Sequence, residues 1–188
     1  RFGPCRLMET RSEYNIDNHT GPFGPPFLSA GSTRTLTLSQ SRCQVPANAK
    51  GYVVNVTAIA RGPVDTVTVW PAGEQQPTFR TISTPDGQIV ANTAFVKAGI
   101  GGAINVYTNG DTDMVMDITG YFTDDRNVSN LVFYPLTPCR VLETRPEYRS
   151  QGGAFGPPTL LNAQTRRLPF PSNPFCPVPS GAAAYSIT

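Results

Sequence analysis

Two short phrases hold the residues of this sequence best suited to chemistry. Arg6, Glu9 and Arg11 lie in PCRLMETR (Pro4 to Arg11), and Arg140, Glu143 and Arg145 lie in PCRVLETR (Pro138 to Arg145). In an extended segment side chains two apart share a face, so Glu9 and Arg11 point the same way. An arginine fork on a carboxylate makes a bidentate pair. Such a pair can hold a ligand, or it can clamp one segment of a fold against the rest. Reuse in both phrases favours the clamp, because two copies of a domain fold by the same rules.

Each phrase also carries a cysteine. Cys5 is followed by Cys43 and Cys139 by Cys176, at separations of 38 and 37. Four cysteines allow three pairings. The matched spacing selects Cys5–Cys43 and Cys139–Cys176. Loops of this size stabilise a fold by roughly 3–4 kcal/mol in the chain-entropy picture. A four-cysteine metal site is the poorer reading, since there is no C-x-x-C and His19 is the only histidine. Disulfides imply an oxidising compartment and hence export. No metal or other cofactor is expected.

Catalytic chemistry is sparse. A Ser-His-Asp triad would have to rest on His19, in DNHTGPFGPP, which reads as an exposed loop. Nucleophile-elbow, zincin and P-loop motifs do not occur in the sequence. Asp111, Asp113 and Asp117 in DTDMVMD could ligate calcium, but they read better as solvated carboxylates of a turn and a strand face. Sequons place candidate glycans at Asn18, Asn55 and Asn127, with Asn18 and Asn127 the better placed, in a loop and a linker.

These residues need elements to position them, and the organising fact is a domain-sized repeat. PCRLMETR answers to PCRVLETR, FGPP (Phe23 to Pro26) to FGPP (Phe155 to Pro158), TRTLTL to TRRLPF, and CQVPANAKGYVV to CPVPSGAAAYSI, all in order. Repeat one is expected over residues 1–122 and a polar linker over 123–130. Residues 131–188 are expected to be the N-terminal half of a second copy. Repeat two has a lead-in strand, NLVFYPLT, that repeat one lacks, and it stops within the counterpart of YVVNVT. Two explanations stay open: a half domain completed by a neighbour, or the visible part of a longer tandem protein.

Within repeat one, GYVVNVTAIA, DTVTVW, AINVYT and DMVMDITGYF have strand length and β-branched content. Turn signals separate them, and Asn109-Gly110 reads as a hairpin turn. No stretch free of Pro and Gly keeps a helical period. The expected fold is all-β, an antiparallel β-sandwich or β-barrel domain followed by a partial second copy. The Gly-Pro-rich stretches read as tight turns or polyproline II.

Composition narrows the partners. Net charge is +2 over 188 residues, only 15% of residues are charged, and Lys50 and Lys97 are the sole lysines. No basic block points to nucleic acid, and no apolar run reaches the ~20 residues of a membrane span. The chain starts at Arg1 without an apolar leader and is read as one whose export signal has been removed.

The ordered motifs P-C-R-x-x-[DE]-T-R, G-P-P, C-x-[IV]-P, N-V-T, W-P-A-G, VANTAFV and ITGYF resemble a family of uncharacterised secreted bacterial β domains. These occur as tandem copies in large exported proteins, notably of environmental bacteria. The resemblance covers Pro4 to Phe122 and the surviving part of repeat two. The family commonly has Asp where this chain has Glu9 and Glu143, which leaves the clamp reading intact. The resemblance implies export, β architecture and tandem or polymeric use, and it transfers no catalytic residue.

The expected function is a non-enzymatic structural subunit of an extracellular bacterial fibre or surface assembly. Copies would join head-to-tail by β-strand complementation, with the chain itself as principal partner. Candidate donor residues are Arg1, Phe2 and Leu7 at the start, and Val132 and Phe133 in the lead-in strand. The alternative is a carbohydrate-binding or adhesive module of a tandem-repeat surface protein. Loop aromatics Tyr14, Phe23, Phe27, Trp70, Tyr148 and Phe155 would then meet glycans.

Overall fold

Runs of Val, Ile and Thr favour extended backbone because two heavy atoms on Cβ restrict χ1. The computed structural model describes residues 3–124, 132, 139–148, 151–185 and 187. Eight strands form in the first repeat: β1 (Cys5–Glu9), β2 (Thr33–Thr37), β3 (Gly51–Ala60), β4 (Val64–Pro71), β5 (Ile82–Thr84), β6 (Ile89–Lys97), β7 (Ala103–Thr108) and β8 (Thr112–Phe122). Among the described residues the only helical elements are short 3₁₀ turns.

The strands make two antiparallel four-stranded sheets, ordered β1-β8-β3-β6 and β2-β7-β4-β5. The fold is therefore a β-sandwich, not a closed barrel. Alternation supplies the core: Val54, Val56 and Ala58 of β3 and Met114, Met116 and Ile118 of β8 are fully buried. From the other sheet come the buried Val67 and Val69 of β4 and Ile104 and Val106 of β7. No described helix is long and apolar enough to cross a membrane.

Of the seven connections only β4 to β5 stays within one sheet; the other six cross between sheets. The turn at Asn109-Gly110 is one of these crossings. It leads from β7 to β8 in the opposite sheet and makes no hairpin. Gly110 is required there by close approach, since a Cβ would lie 2.4 Å from the Pro63 carbonyl oxygen. Asn109 Oδ1 accepts from Thr66 N–H at 2.8 Å and ties the crossing down.

The edge strand β1 pairs with β8 with a register shift between Arg6 and Met8. The bulge turns both Leu7 and Met8 into the core, where each is fully buried. Strict alternation would set residues three apart on opposite faces. The extra residue brings Arg6 and Glu9 onto the same face.

The chain divides into two compact units, residues 1–128 and 129–187, with the break inside the polar segment 123–130. In the second unit the described residues form no strand. They hold three 3₁₀ turns, Pro146–Tyr148, Gly153–Phe155 and Phe170–Ser172.

Candidate functional site: the paired arginine–glutamate clamps

In the first unit Glu9 ends β1 with only 1% of its surface exposed. Arg11 reaches it through Nε at 2.8 Å and Nη2 at 2.9 Å, and its backbone N–H adds a bond of 3.1 Å. Arg6 donates through Nη1 to Glu9 Oε2 at 2.7 Å. Burial pushes the Glu9 carboxyl up, but the Arg11 bonds and the two positive charges outweigh it and leave it below its ordinary value. Both cations thus converge on one buried carboxylate, as a structural clamp requires.

The clamp is fixed to the sheet by β8. Arg6 Nε donates to Asp117 Oδ1 at 2.6 Å. Thr10 Oγ1 donates to Asp113 Oδ1 at 3.0 Å and accepts from Met114 N–H at 2.8 Å. Asp113 is buried and also accepts from Arg61 Nε at 2.7 Å. The expectation of solvated carboxylates is corrected here: both aspartates are anchor points for β1.

The second unit repeats the clamp residue for residue. Arg145 Nε and Nη2 donate to Glu143 at 2.8 and 2.7 Å, its N–H adds a bond of 3.2 Å, and Arg140 Nη1 reaches Glu143 Oε2 at 3.2 Å. The Arg145 fork holds the Glu143 carboxyl at about 2 against an ordinary 4.5. One arginine of each clamp lies over an exposed tyrosine, Arg11 at 4.3 Å from Tyr14 and Arg145 at 4.1 Å from Tyr148.

Both predicted disulfides form. Cα atoms are 5.7 Å apart in Cys5–Cys43 and 5.6 Å apart in Cys139–Cys176. The FGPP turns match as well, with Pro25-Pro26 and Pro157-Pro158 both cis. Arg34 caps the first turn by donating to the Gly24 and Pro26 carbonyls at 2.8 Å each. Arg166 caps the second by donating to Gly156 and Pro158 at 2.6 Å each. A Cβ at Gly24 would lie 2.1 Å from the His19 carbonyl oxygen, and one at Gly156 would lie 2.5 Å from that of Gln151. Glycine lets the loop fold back on itself at both places.

His19 is not the exposed loop residue expected. It is 4% exposed, and burial pushes its imidazole below the ordinary value. Its Nε2 is buried without a hydrogen-bond partner, as is Oε1 of Gln151, the residue at the matching position of repeat two. Gln151 Nε2 donates to the Arg140 carbonyl at 2.9 Å and so supports the second clamp. Asn173 is buried and donates through Nδ2 to the Val141 carbonyl at 3.0 Å, a contact with no sequence signal. The Arg34 and Arg166 caps were signalled by the aligned Thr-Arg dipeptides, and Thr10 by the repeated phrase itself.

The remaining expected residues are scattered. Leu7, a candidate donor, is instead committed to its own sandwich as part of β1. Val132 is 69% exposed. Arg1, Phe2, Phe133 and Asn127 lie outside the described residues. Asn18 is exposed in its loop, whereas Asn55 is half-buried on β3. Of the aromatics, Phe23, Trp70 and Phe155 are buried, and Phe27 lies beneath Arg61 at 4.2 Å. Only Tyr14 and Tyr148 remain open to solvent.

No known protein family, curated protein or solved structure matches this chain. Among the described residues no group of three or more His, Cys, Asp or Glu is placed to hold a metal ion. Lys50 and Lys97 both line one open depression, but each meets a carboxylate, Asp124 at 3.3 Å and Glu74 at 3.6 Å. The clamps are the most developed polar constellations of the described molecule. Their chemistry is cohesive: each neutralises a carboxylate and fixes an extended segment beside a disulfide.

Proposed function

We propose that the chain is a structural subunit of an extracellular bacterial fibre or surface assembly, joined head-to-tail by strand complementation between copies. One observation carries this reading. Residues 139–145 have the clamp and disulfide of residues 5–11, yet the described residues of their own unit form no strand. Val141, Leu142 and Thr144 are half-buried where Leu7, Met8 and Thr10 are buried. Strand addition uses backbone N–H and C=O groups that a sheet leaves unpaired. Contacts of this heterologous kind propagate when they do not close on themselves. The two disulfides support an oxidising, exported setting. Electron microscopy and light scattering of the oxidised full chain across a concentration range test the proposal. Filaments whose length grows with concentration are expected; a monomer at every concentration would sink it.

A second reading, a glycan-binding or adhesive module, is favoured by one feature. Tyr14 and Tyr148 present exposed rings backed by an arginine at matching positions. Aromatic faces of this kind stack on sugars. A glycan array should then show a binder that Y14A together with Y148A abolishes. An array without any binder removes this reading.

A further inference from the structure

We infer that His19 is an acid-operated latch: a proton on its imidazole opens the loop at residues 15–24 of the first unit, and the matching loop of the second unit has no such response. The latch is independent of the assembly proposed above.

The closed loop holds His19 by its backbone. Its N–H donates to Asn15 Oδ1 at 2.7 Å, and its carbonyl accepts from Asn15 Nδ2 at 2.8 Å. Gly24 lies so close to that carbonyl that a Cβ would collide with it. Asn18 takes a φ of 51°, left-handed backbone that a residue other than glycine seldom adopts. Phe23 N–H donates to the Thr20 carbonyl at 3.2 Å and Gly24 N–H to the Gly21 carbonyl at 3.3 Å, which closes the turn that follows. Within this frame the imidazole is buried.

The site suits a neutral ring and not a charged one. A protonated imidazole has two N–H donors and a positive charge to place. Nε2 is buried without a hydrogen-bond partner. The charged groups that face the ring are Asp17 of its own loop, Arg6 and Glu9 of β1, and Arg42 beside Cys43. Arg6 and Arg42 oppose a further positive charge. Glu9 is already held by Arg6 and by the Arg11 fork. Asp17 Oδ2 stands 3.9 Å from Nε2, too far for a hydrogen bond, and its side chain is exposed. Burial accordingly pushes the imidazole below its ordinary 6.5. The closed loop gives up a proton that the open loop keeps, so acid favours the open form once the pH falls below 6.5.

The opening is bounded on both sides. Arg11 stays forked on Glu9 before the loop, and Arg34 holds the Gly24 and Pro26 carbonyls after it. The residues between these anchors swing while the disulfide and the sheets keep their places. Opening uncovers Phe23, which is buried in the closed loop. The second unit has the same anchors in Arg145 and Arg166. Gln151 stands there in the place of His19, and an amide does not titrate.

Amide exchange of the oxidised full chain tests the latch, compared at about pH 7 and about pH 5 and corrected for the intrinsic effect of pH on exchange. Protection at His19, Phe23 and Gly24 is expected to fall about tenfold, inside the limit of about tenfold per pH unit that one proton sets. Phe155 and Gly156, whose N–H groups donate to the Gly152 and Gly153 carbonyls, should keep their protection. H19Q should remove the pH dependence at Phe23 and Gly24. D17N should move the midpoint of opening to lower pH, because Asp17 favours the charged ring. Protection at His19, Phe23 and Gly24 that is the same at both pH values overturns the inference. So does an equal loss at Phe155 and Gly156, or a pH dependence that survives H19Q. Where H19Q does not fold, the D17N midpoint decides, and one that stays in place or rises overturns the latch.

Discussion

Residues 5–43 and 139–176 are built from the same parts in different surroundings. Both have a disulfide, a glutamate held by two arginines, a cis Pro-Pro turn capped by a third arginine, and a glycine beneath a folded-back loop. In the first unit a sheet lies behind them. In the second the described residues supply no strand at all. The shared local structure is therefore written in the segment itself and needs no sheet to specify it. The sheet contributes burial, and Glu9 and Glu143 register it. Burial is the largest influence on Glu9 and opposes its ionisation, whereas for Glu143 the Arg145 hydrogen bond is the largest and burial comes second.

The comparison breaks most visibly at the disulfides. C5S with C43S should cost the first unit about 2–5 kcal/mol in denaturant unfolding, with the sandwich still formed. C139S with C176S should remove protection at the hydrogen-bonded amides Glu143, Phe155 and Cys176, because the described residues of the second unit form no sheet to hold them otherwise. Equal loss in the two units would contradict the contrast.

The clamps should differ next. E9Q leaves Arg6 and Arg11 beside a buried neutral amide and should cost about 2–3 kcal/mol, less than a fully buried pair because both arginines reach solvent. E143Q should cost less, since its arginines are more exposed. Parallel urea titrations measure both. A smaller effect follows for G24A, about 1–3 kcal/mol from overpacking against the His19 carbonyl. G156A should act in the same direction on the second unit, and thermal scans of the two variants compare them.

Acid sharpens the contrast further. The folded value of Glu143 is depressed, so its clamp contributes stability above the unfolded value of 4.5 and loses it as pH falls toward about 2. An NMR titration should place the Glu143 carboxyl near that lower limit. His19 acts earlier. Its folded value is lowered by burial, so the unfolded chain takes up protons first and stability falls as pH drops below 6.5. H19Q, which installs the residue of repeat two, should flatten the stability profile of the first unit just below that pH. An unchanged slope would show that His19 is not the titrating group.

Much of this was legible in the sequence because the repeat acts as an internal control. The cysteine pairing and the Glu–Arg forks follow from matched spacing alone. What stayed hidden depends on residues distant in sequence. Arg6 and Glu9 share a face only through the bulge at Leu7, which no local residue announces. Asn109-Gly110 has hairpin chemistry, but its flanking strands join different sheets. Asp113 and Asp117 look solvated until β1 is laid against them. His19 looks exposed because its loop is polar, yet the chain folds back over it at Gly24.

The central claim is that residues 139–145 are shaped in advance for a strand they take up on assembly. Amide hydrogen exchange at Val141, Leu142 and Thr144, compared between dilute and assembled oxidised chain, tests it most directly. Rapid exchange is expected in the dilute chain and strong protection in the assembly, with the central strand β3 slow in both. Identical rates at these three amides in the two states would contradict it.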